Sequence, residues 1–236
     1  MQQNKVRLKA FATAFPYTIP LIAGIGFFGL AYGVYMNISG FSFWYPLVMS
    51  IVIFGGSLEF LAVSLLLAPF APLQTFILAV MIQARHLFYG IAMLEKFKGL
   101  GVKRFYLIYS MCDETFSINY AADVPDDVDR GWFMVFVSLL TQFYWTTSSV
   151  LGCLLGSLIS FNTEGLDFVM TAVFTVIFLE QLLKQKKPYT AIIGVASSAV
   201  CRFFFGANSF LVPTMVCILC LLTLFREPIE RAGDTA

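Results

Sequence analysis

The sequence predicts an all-α integral membrane protein, a polytopic helical bundle. Of its 236 residues, 59% are hydrophobic and only 12% are charged, whereas a typical soluble domain is about 25% charged. The mean hydropathy is +0.82, and the chain contains repeated apolar runs near the ~20 residues that cross a bilayer as helix. The formal net charge of +1 gives no support to a nucleic-acid partner.

Apolar segments follow one another with short connections over residues 1–236, which predicts a single transmembrane domain. About seven or eight of them are long enough to be membrane segments, some broken or re-entrant: 10–36, 46–68, 74–94, 105–122, 132–159, 165–183, 188–205 and 207–225.

The first segment is rich in helix-breaking residues. Pro16 and Pro20 each remove a helix donor, and glycines follow at 24, 26, 29 and 33. Ordinary packing is one interpretation. The density of these residues favours a broken helix, whose freed amides could hold a substrate as in transporters.

Basic residues in short loops are biased to the cytoplasm, and both termini are therefore expected inside. Eight simple spans leave one basic cluster, 96–104, on the wrong side. Six spans and two re-entrant segments bring it inside, and both topologies remain open. The re-entrant candidates are 46–68, which contains Gly55-Gly56, and 105–122.

Ionisable residues inside apolar runs are the default site candidates, because each costs about 2.5–3.5 kcal/mol even on the lenient insertion scale. Asp113 lies deepest in its segment and is expected to be functional. His86, the only histidine, is a proton relay or a core residue. Arg85 is functional or neutralises Asp113 or Glu59. The complete set is Glu59, Arg85, His86, Asp113, Glu114, Asp167 and Arg202.

Helical spacing places polar residues on stripes of three segments. The fourth segment carries the stripe from Tyr106 through Asp113 to Tyr120, the third includes Gln83, and the fifth includes Gln142 and Trp145. Because helix faces that contact lipid are apolar, we expect these polar faces to meet around one polar cavity inside the bundle.

The sequence contains no catalytic or metal-binding motif, and no cofactor or metal is expected. The protein is therefore expected not to be an enzyme. Two alternatives to a transporter remain. The first is a channel-like pore, and the second, less favoured, is an intramembrane enzyme using Asp113 or His86.

Several short motifs in a fixed order resemble the AzlC family of bacterial permeases, which includes branched-chain amino acid exporters. Two departures bear on specificity, because the family often has Gln at the position of Glu59 and Asn at that of Gln83. The matching pieces are F-P-Y-T-I-P…G-I-G-F-F-G-L-A-Y-G, G-G-S-L-E-F at 55–60, Q-A-R-H at 83–86, Y-G at 89–90, D-E-T-F at 113–116 and G-L-D-F at 165–168.

The resemblance implies a proton-coupled secondary transporter that exports branched-chain or related neutral amino acids across the bacterial inner membrane. It also implies a small AzlD-type membrane subunit as partner, with lipid around the protein and a homo-oligomer possible. The residues expected to bind substrate are Glu59, Gly24, Gly26, Gln83, Trp145 and Gln142. Those expected to couple protons or relay charge are Asp113, Glu114, His86 and Arg85. Asp167 is expected to cap a helix, and Arg202 to snorkel towards the membrane surface.

Overall fold

A computed structural model describes residues 2–158, 175, 178–179, 182–183 and 189–224. Asp167, most of the apolar segment 165–183 and the basic residues at 184–187 and 226–231 lie outside the described residues. The chain divides into two compact units, Met1–Leu166 and Asp167–Ala236. Each unit is described by itself, and the single domain over residues 1–236 stays a prediction.

The described parts of both units contain helices and no strands, so the all-α prediction is confirmed for them. The described part of the first unit, residues 2–158, has eight helices: α1 Gln2–Ile38, α2 Trp44–Val52, α3 Gly56–Leu67, α4 Pro72–Ile82, α5 Arg85–Met93, α6 Lys103–Tyr109, α7 Asp113–Ala121 and α8 Arg130–Leu158. The second has α9 Tyr189–Ser209 and α10 Leu211–Leu224.

Within these described residues, two helices are each long and apolar enough to cross a membrane. They are Asn4–Ile38 in α1 and Tyr189–Gly206 in α9. Helices α4 and α5 together satisfy the same criteria but are bent by 52° at their junction, which makes them a broken span or a re-entrant loop. The predicted number of seven or eight membrane segments is therefore not confirmed.

The prediction of a broken first helix is wrong. Helix α1 runs without interruption for 37 residues and contains both Pro16 and Pro20. The long helix α8 packs along it. A neighbouring helix can stabilise a membrane helix that contains proline, because it helps to satisfy the backbone groups that the proline leaves without hydrogen bonds.

Glycines bring the backbones of α1 and α8 into direct contact. A Cβ atom built at Gly33 would lie 1.9 Å from the carbonyl oxygen of Ser149, and one at Gly152 would lie 2.2 Å from that of Leu30. No larger residue fits at either position without moving a helix. The glycines at 29 and 33 in the first segment thus serve close helix packing.

Three of the predicted segments are each divided into two helices. Segment 46–68 is interrupted at 53–55 between α2 and α3, next to the predicted Gly55-Gly56. Segment 74–94 is interrupted at 83–84 between α4 and α5, and segment 105–122 at 110–112 between α6 and α7. The re-entrant path of 46–68 and 105–122 stays a prediction.

The interruption at 110–112 corrects the predicted polar stripe from Tyr106 to Tyr120, which does not lie on one helix face. The Thr115 hydroxyl accepts a hydrogen bond from the Cys112 N–H at 2.8 Å and donates to the Ser110 carbonyl at 3.0 Å. A side chain that satisfies backbone groups in this way starts a new helix.

The polar loop before α8 is fixed by a carboxylate at the helix start. Asp129 accepts a hydrogen bond from the Trp132 N–H at 2.7 Å and pairs with Lys103 at 3.2 Å. Partial burial disfavours the charged carboxylate, but these two donors outweigh it, and the pKa of Asp129 is held below its usual value. Nearby, Lys9 of α1 pairs with Asp127.

Candidate functional site

The three helix interruptions meet in the first unit. The side-chain amide nitrogen of Gln83, at the α4–α5 interruption, lies only 2.3 Å from where a Cβ of Gly55 would be. Arg85, at the start of α5, donates to the Ser57 hydroxyl at the start of α3, at 3.3 Å. The same guanidinium reaches Asp113 at the start of α7. One glutamine and one arginine thus connect all three interruptions.

Arg85 and Asp113 form an ion pair of 3.0 Å between Nη1 and Oδ2. The Tyr89 hydroxyl donates to the other carboxylate oxygen, Oδ1, at 2.9 Å. Both charged side chains are about one-third exposed. Of the two partners that the sequence offered for Arg85, the structure therefore contains Asp113 and not Glu59.

Glu59 is completely buried in the first turn of α3. Its Oε1 accepts two hydrogen bonds, from the Gly55 N–H at 3.1 Å and from the Trp145 indole N–H at 3.0 Å. Its Oε2 has no hydrogen-bond partner among the described residues. Nor does any cation of the described chain lie within ion-pairing distance of it.

A small cavity of about 70 Å³ lies between the interruptions and the long helices α1 and α8. Glu114, in the first turn of α7, is the carboxylate that lines it. Gly56, the first residue of α3, lines it as well, so two helix starts border the cavity. The other lining residues are largely apolar: Ile25, Phe28, Phe54, Cys112, Thr141 and Trp145.

Gln142 and Trp145 lie one turn apart on α8 and make different contacts. The Gln142 side chain accepts from the Tyr106 hydroxyl at 2.9 Å and donates to the Tyr109 hydroxyl at 3.0 Å. Trp145 stacks on Tyr32 of α1, with ring centroids 5.9 Å apart. Gln142 therefore fixes α6 against α8, whereas Trp145 lies between Glu59 and the cavity.

His86 and Gln83 line a second, larger and mostly apolar cavity of about 520 Å³ beside α5. The His86 ring nitrogen Nδ1 lies 3.2 Å from the Gln83 carbonyl oxygen, and the ring meets Tyr89 edge-on at 5.5 Å. These contacts suit a core histidine, and the relay role stays a prediction.

The remaining predicted positions among the described residues are Gly24 and Gly26 in the first unit and Arg202 in the second. Gly24 and Gly26 have no neighbour within 4 Å of a built Cβ among the described residues, and their amides belong to the continuous helix α1. The freed amides expected there are therefore absent. Arg202 lies exposed on α9 in the second unit, with its guanidinium 5.6 Å from the centre of the Phe210 ring.

The sequence did not single out Tyr32, Ser57, Tyr89 or Tyr109 as members of the site. Tyr32, Ser57 and Tyr89 were part of matching motifs, and that was the available signal for them. Tyr109 is an ordinary residue of an apolar segment. The roles of these residues depend on which helix ends meet, which local patterns do not show.

Interrupted helices whose ends meet around buried ionisable groups are the construction by which secondary transporters form binding sites inside the membrane. By this construction the first unit has the features of a membrane transporter. Comparison with known proteins agrees. The family model described as AzlC protein matches residues 20–159, and the chain belongs to the AzlC family.

Similar proteins cover almost the whole chain. The branched-chain amino acid transport protein AzlC of Bacillus subtilis (strain 168) is 54% identical, over 94% of this chain and 88% of that protein. Proteins described as uncharacterized membrane proteins are 44% identical in Haemophilus influenzae, over 94% and 92%, and 35% identical in Helicobacter pylori (strain J99), over 94% and 98%. No solved structure matches the chain.

Proposed function

We propose that this protein is a secondary transporter that exports branched-chain or related neutral amino acids across the bacterial inner membrane. The observation that carries the proposal is the cavity between α1, α8 and the helix interruptions, with a carboxylate, two helix starts and apolar side chains around it. The similarity to a branched-chain amino acid transport protein supports the substrate class.

Each part of a zwitterionic, branched amino acid has a complementary group at this cavity. Glu114 offers a negative charge to the ammonium. The starts of α3 and α7 offer N–H groups and positive dipole ends to the carboxylate. Phe28, Phe54 and other apolar lining residues suit the side chain. In this proposal Glu114 binds substrate, which differs from its expected role in proton coupling.

The Arg85–Asp113 ion pair holds two of the interruptions together beside the cavity. We propose that it controls their movement as the protein alternates between inward- and outward-facing states. Because a secondary transporter that works against a gradient draws its energy from a second gradient, we propose that protons drive export. The cytoplasmic location of both termini and the small AzlD-type membrane subunit complete the proposal.

Counterflow in proteoliposomes tests this function. Vesicles loaded with unlabelled leucine are challenged with labelled leucine, valine or lysine, using the chain alone or together with an AzlD-type subunit. We expect saturable uptake of leucine and valine but not lysine, and loss of that uptake in Glu114→Gln. A matched control is Glu95→Gln, because Glu95 is exposed and, within the described part of the chain, pairs only with Lys98.

Other outcomes point to other classes of protein. Uptake only in the presence of the second subunit would mean that both chains form the transporter. Flux that rises without saturation would indicate a channel, and a chemically altered amino acid or lipid would indicate an enzyme. The absence of uptake in every arrangement would refute the proposed substrate class.

A further inference from the structure

The carboxylate of Glu59 has an environment unlike that of the other two acidic groups near the interruptions. Asp113 has both a cation and a tyrosine hydroxyl as partners, and Glu114 lines the cavity. Glu59 is completely buried, and its Oε2 has no hydrogen-bond partner in the described chain. A buried charge without a counter-ion is costly, and binding a proton removes that cost.

The described groups around Glu59 do not supply the missing positive charge. The phenols of Tyr32 on α1 and Tyr109 on α6 are the titratable groups facing it from those helices, and α8 contributes the neutral indole of Trp145. Arg85, at the start of α5, donates to Ser57 in the same helix as Glu59 but is ion-paired with Asp113.

Glu59 also holds the α2–α3 interruption in its shape. Its Oε1 accepts the N–H of Gly55, which follows Phe54, a residue in the left-handed region with φ of 44°. A non-glycine residue persists there only when its surroundings enforce it. Because a charged acceptor makes a stronger hydrogen bond than a neutral one, a proton on Glu59 weakens the contact that enforces this backbone.

The same interruption borders the proposed substrate cavity. Phe54, Gly56 and Trp145 line it, and Trp145 donates directly to Glu59. A change of charge at Glu59 therefore acts on a wall of the cavity. The proton and the substrate do not have to bind to the same carboxylate.

We propose that Glu59 is the residue that carries the coupling proton, with the α2–α3 interruption as the element that transmits its charge to the substrate cavity. Protonation forms one O–H bond at Oε2 and removes one negative charge, and release reverses both. This inference rests on the proposed transport function, and it replaces the expected substrate contact of Glu59 by a proton site.

The test compares Glu59→Gln with the wild type in two transport assays. Counterflow at equal pH needs substrate binding and alternation but no net proton movement. Accumulation driven by a pH gradient needs the proton site, and one pH unit supports about tenfold accumulation at one proton per substrate. We expect Glu59→Gln to keep counterflow and to lose accumulation, whereas Glu114→Gln loses both. Glu59→Asp, which keeps a titratable group, should restore part of the accumulation.

Infrared difference spectroscopy between acidic and neutral pH observes the proton directly in purified protein and needs no transport. We expect a carboxylic-acid C=O band that is absent from Glu59→Gln and shifted in Glu59→Asp. Gradient-driven accumulation by Glu59→Gln equal to the wild type, or an unchanged infrared band, would overturn the inference. Wild-type protein that shows the Glu59 band but no counterflow with either subunit arrangement would instead refute the transport function.

Discussion

The substitution Gly33→Ala adds one methyl group where α1 and α8 touch, and it is the most severe test of the fold. In Gly33→Ala the new Cβ would lie 1.9 Å from the Ser149 carbonyl oxygen and 2.5 Å from the Cys153 amide nitrogen, where ordinary contact begins near 3.4 Å. Both obstacles are backbone atoms of α8, so no side chain can turn away. The two helices must separate by roughly 1.5 Å at this point.

The expected cost follows from this geometry. Overpacking of a well-packed interior costs about 1–3 kcal/mol, and a clash with rigid backbone belongs at the upper end of that range. Alanine regains about 1 kcal/mol of helix propensity over glycine. Gly24→Ala on the same helix has the same propensity gain, but no described residue lies within 4 Å of its Cβ. The difference between the two variants therefore isolates the clash, at about 3 kcal/mol.

Thermal unfolding of the purified proteins in detergent measures this difference. On the scale of soluble proteins of similar length, 3 kcal/mol corresponds to about 6–12 °C in Tm. We expect Gly24→Ala to unfold at or above the wild-type temperature and Gly33→Ala to unfold well below it. Equal unfolding temperatures for the two variants would refute the close approach of α1 and α8.

Three further substitutions test the contacts around the site. Arg85→Ala leaves the Asp113 carboxylate without its cation. We therefore expect the double variant Arg85→Ala/Asp113→Asn to unfold at a higher temperature than Arg85→Ala alone. A double variant that is no more stable would argue against the ion pair. Gln142→Leu removes two hydrogen bonds to tyrosines and should cost about 1–3 kcal/mol, whereas an unchanged Tm would count against those bonds. Asp129→Ala removes the side-chain cap of α8 and should cost about 0.5–2 kcal/mol at neutral pH. Because the folded-state pKa of Asp129 is lowered, this difference from the wild type should be present above the usual pKa of about 3.9 and disappear as the pH falls through the lower folded-state value.

The sequence predicted the helical membrane class and the interruption beside Gly55-Gly56, because composition and paired glycines act locally. It wrongly predicted a broken helix for the proline- and glycine-rich first segment. The same glycines that permit a bend also permit two helices to touch, and only the position of α8 decides between them. Gly33 and Gly152 allow the two helices to touch.

Which acidic side chain the protein itself buries was also beyond the sequence. Asp113 lies in the middle of an apolar segment, and its side chain is about one-third exposed. Glu59 is the completely buried carboxylate. Burial depends on which helix covers a residue, and the covering residue, Trp145, is 86 positions away in the chain.

Cys112 lines the cavity between the helix interruptions and is a native probe of substrate binding there. The measurement is the rate of Cys112 alkylation by a small maleimide, after replacement of the other four cysteines, with and without leucine. We predict that leucine slows the reaction over the same concentration range that saturates counterflow, and that lysine does not. An alkylation rate unaffected by saturating leucine would contradict the placement of the substrate in this cavity.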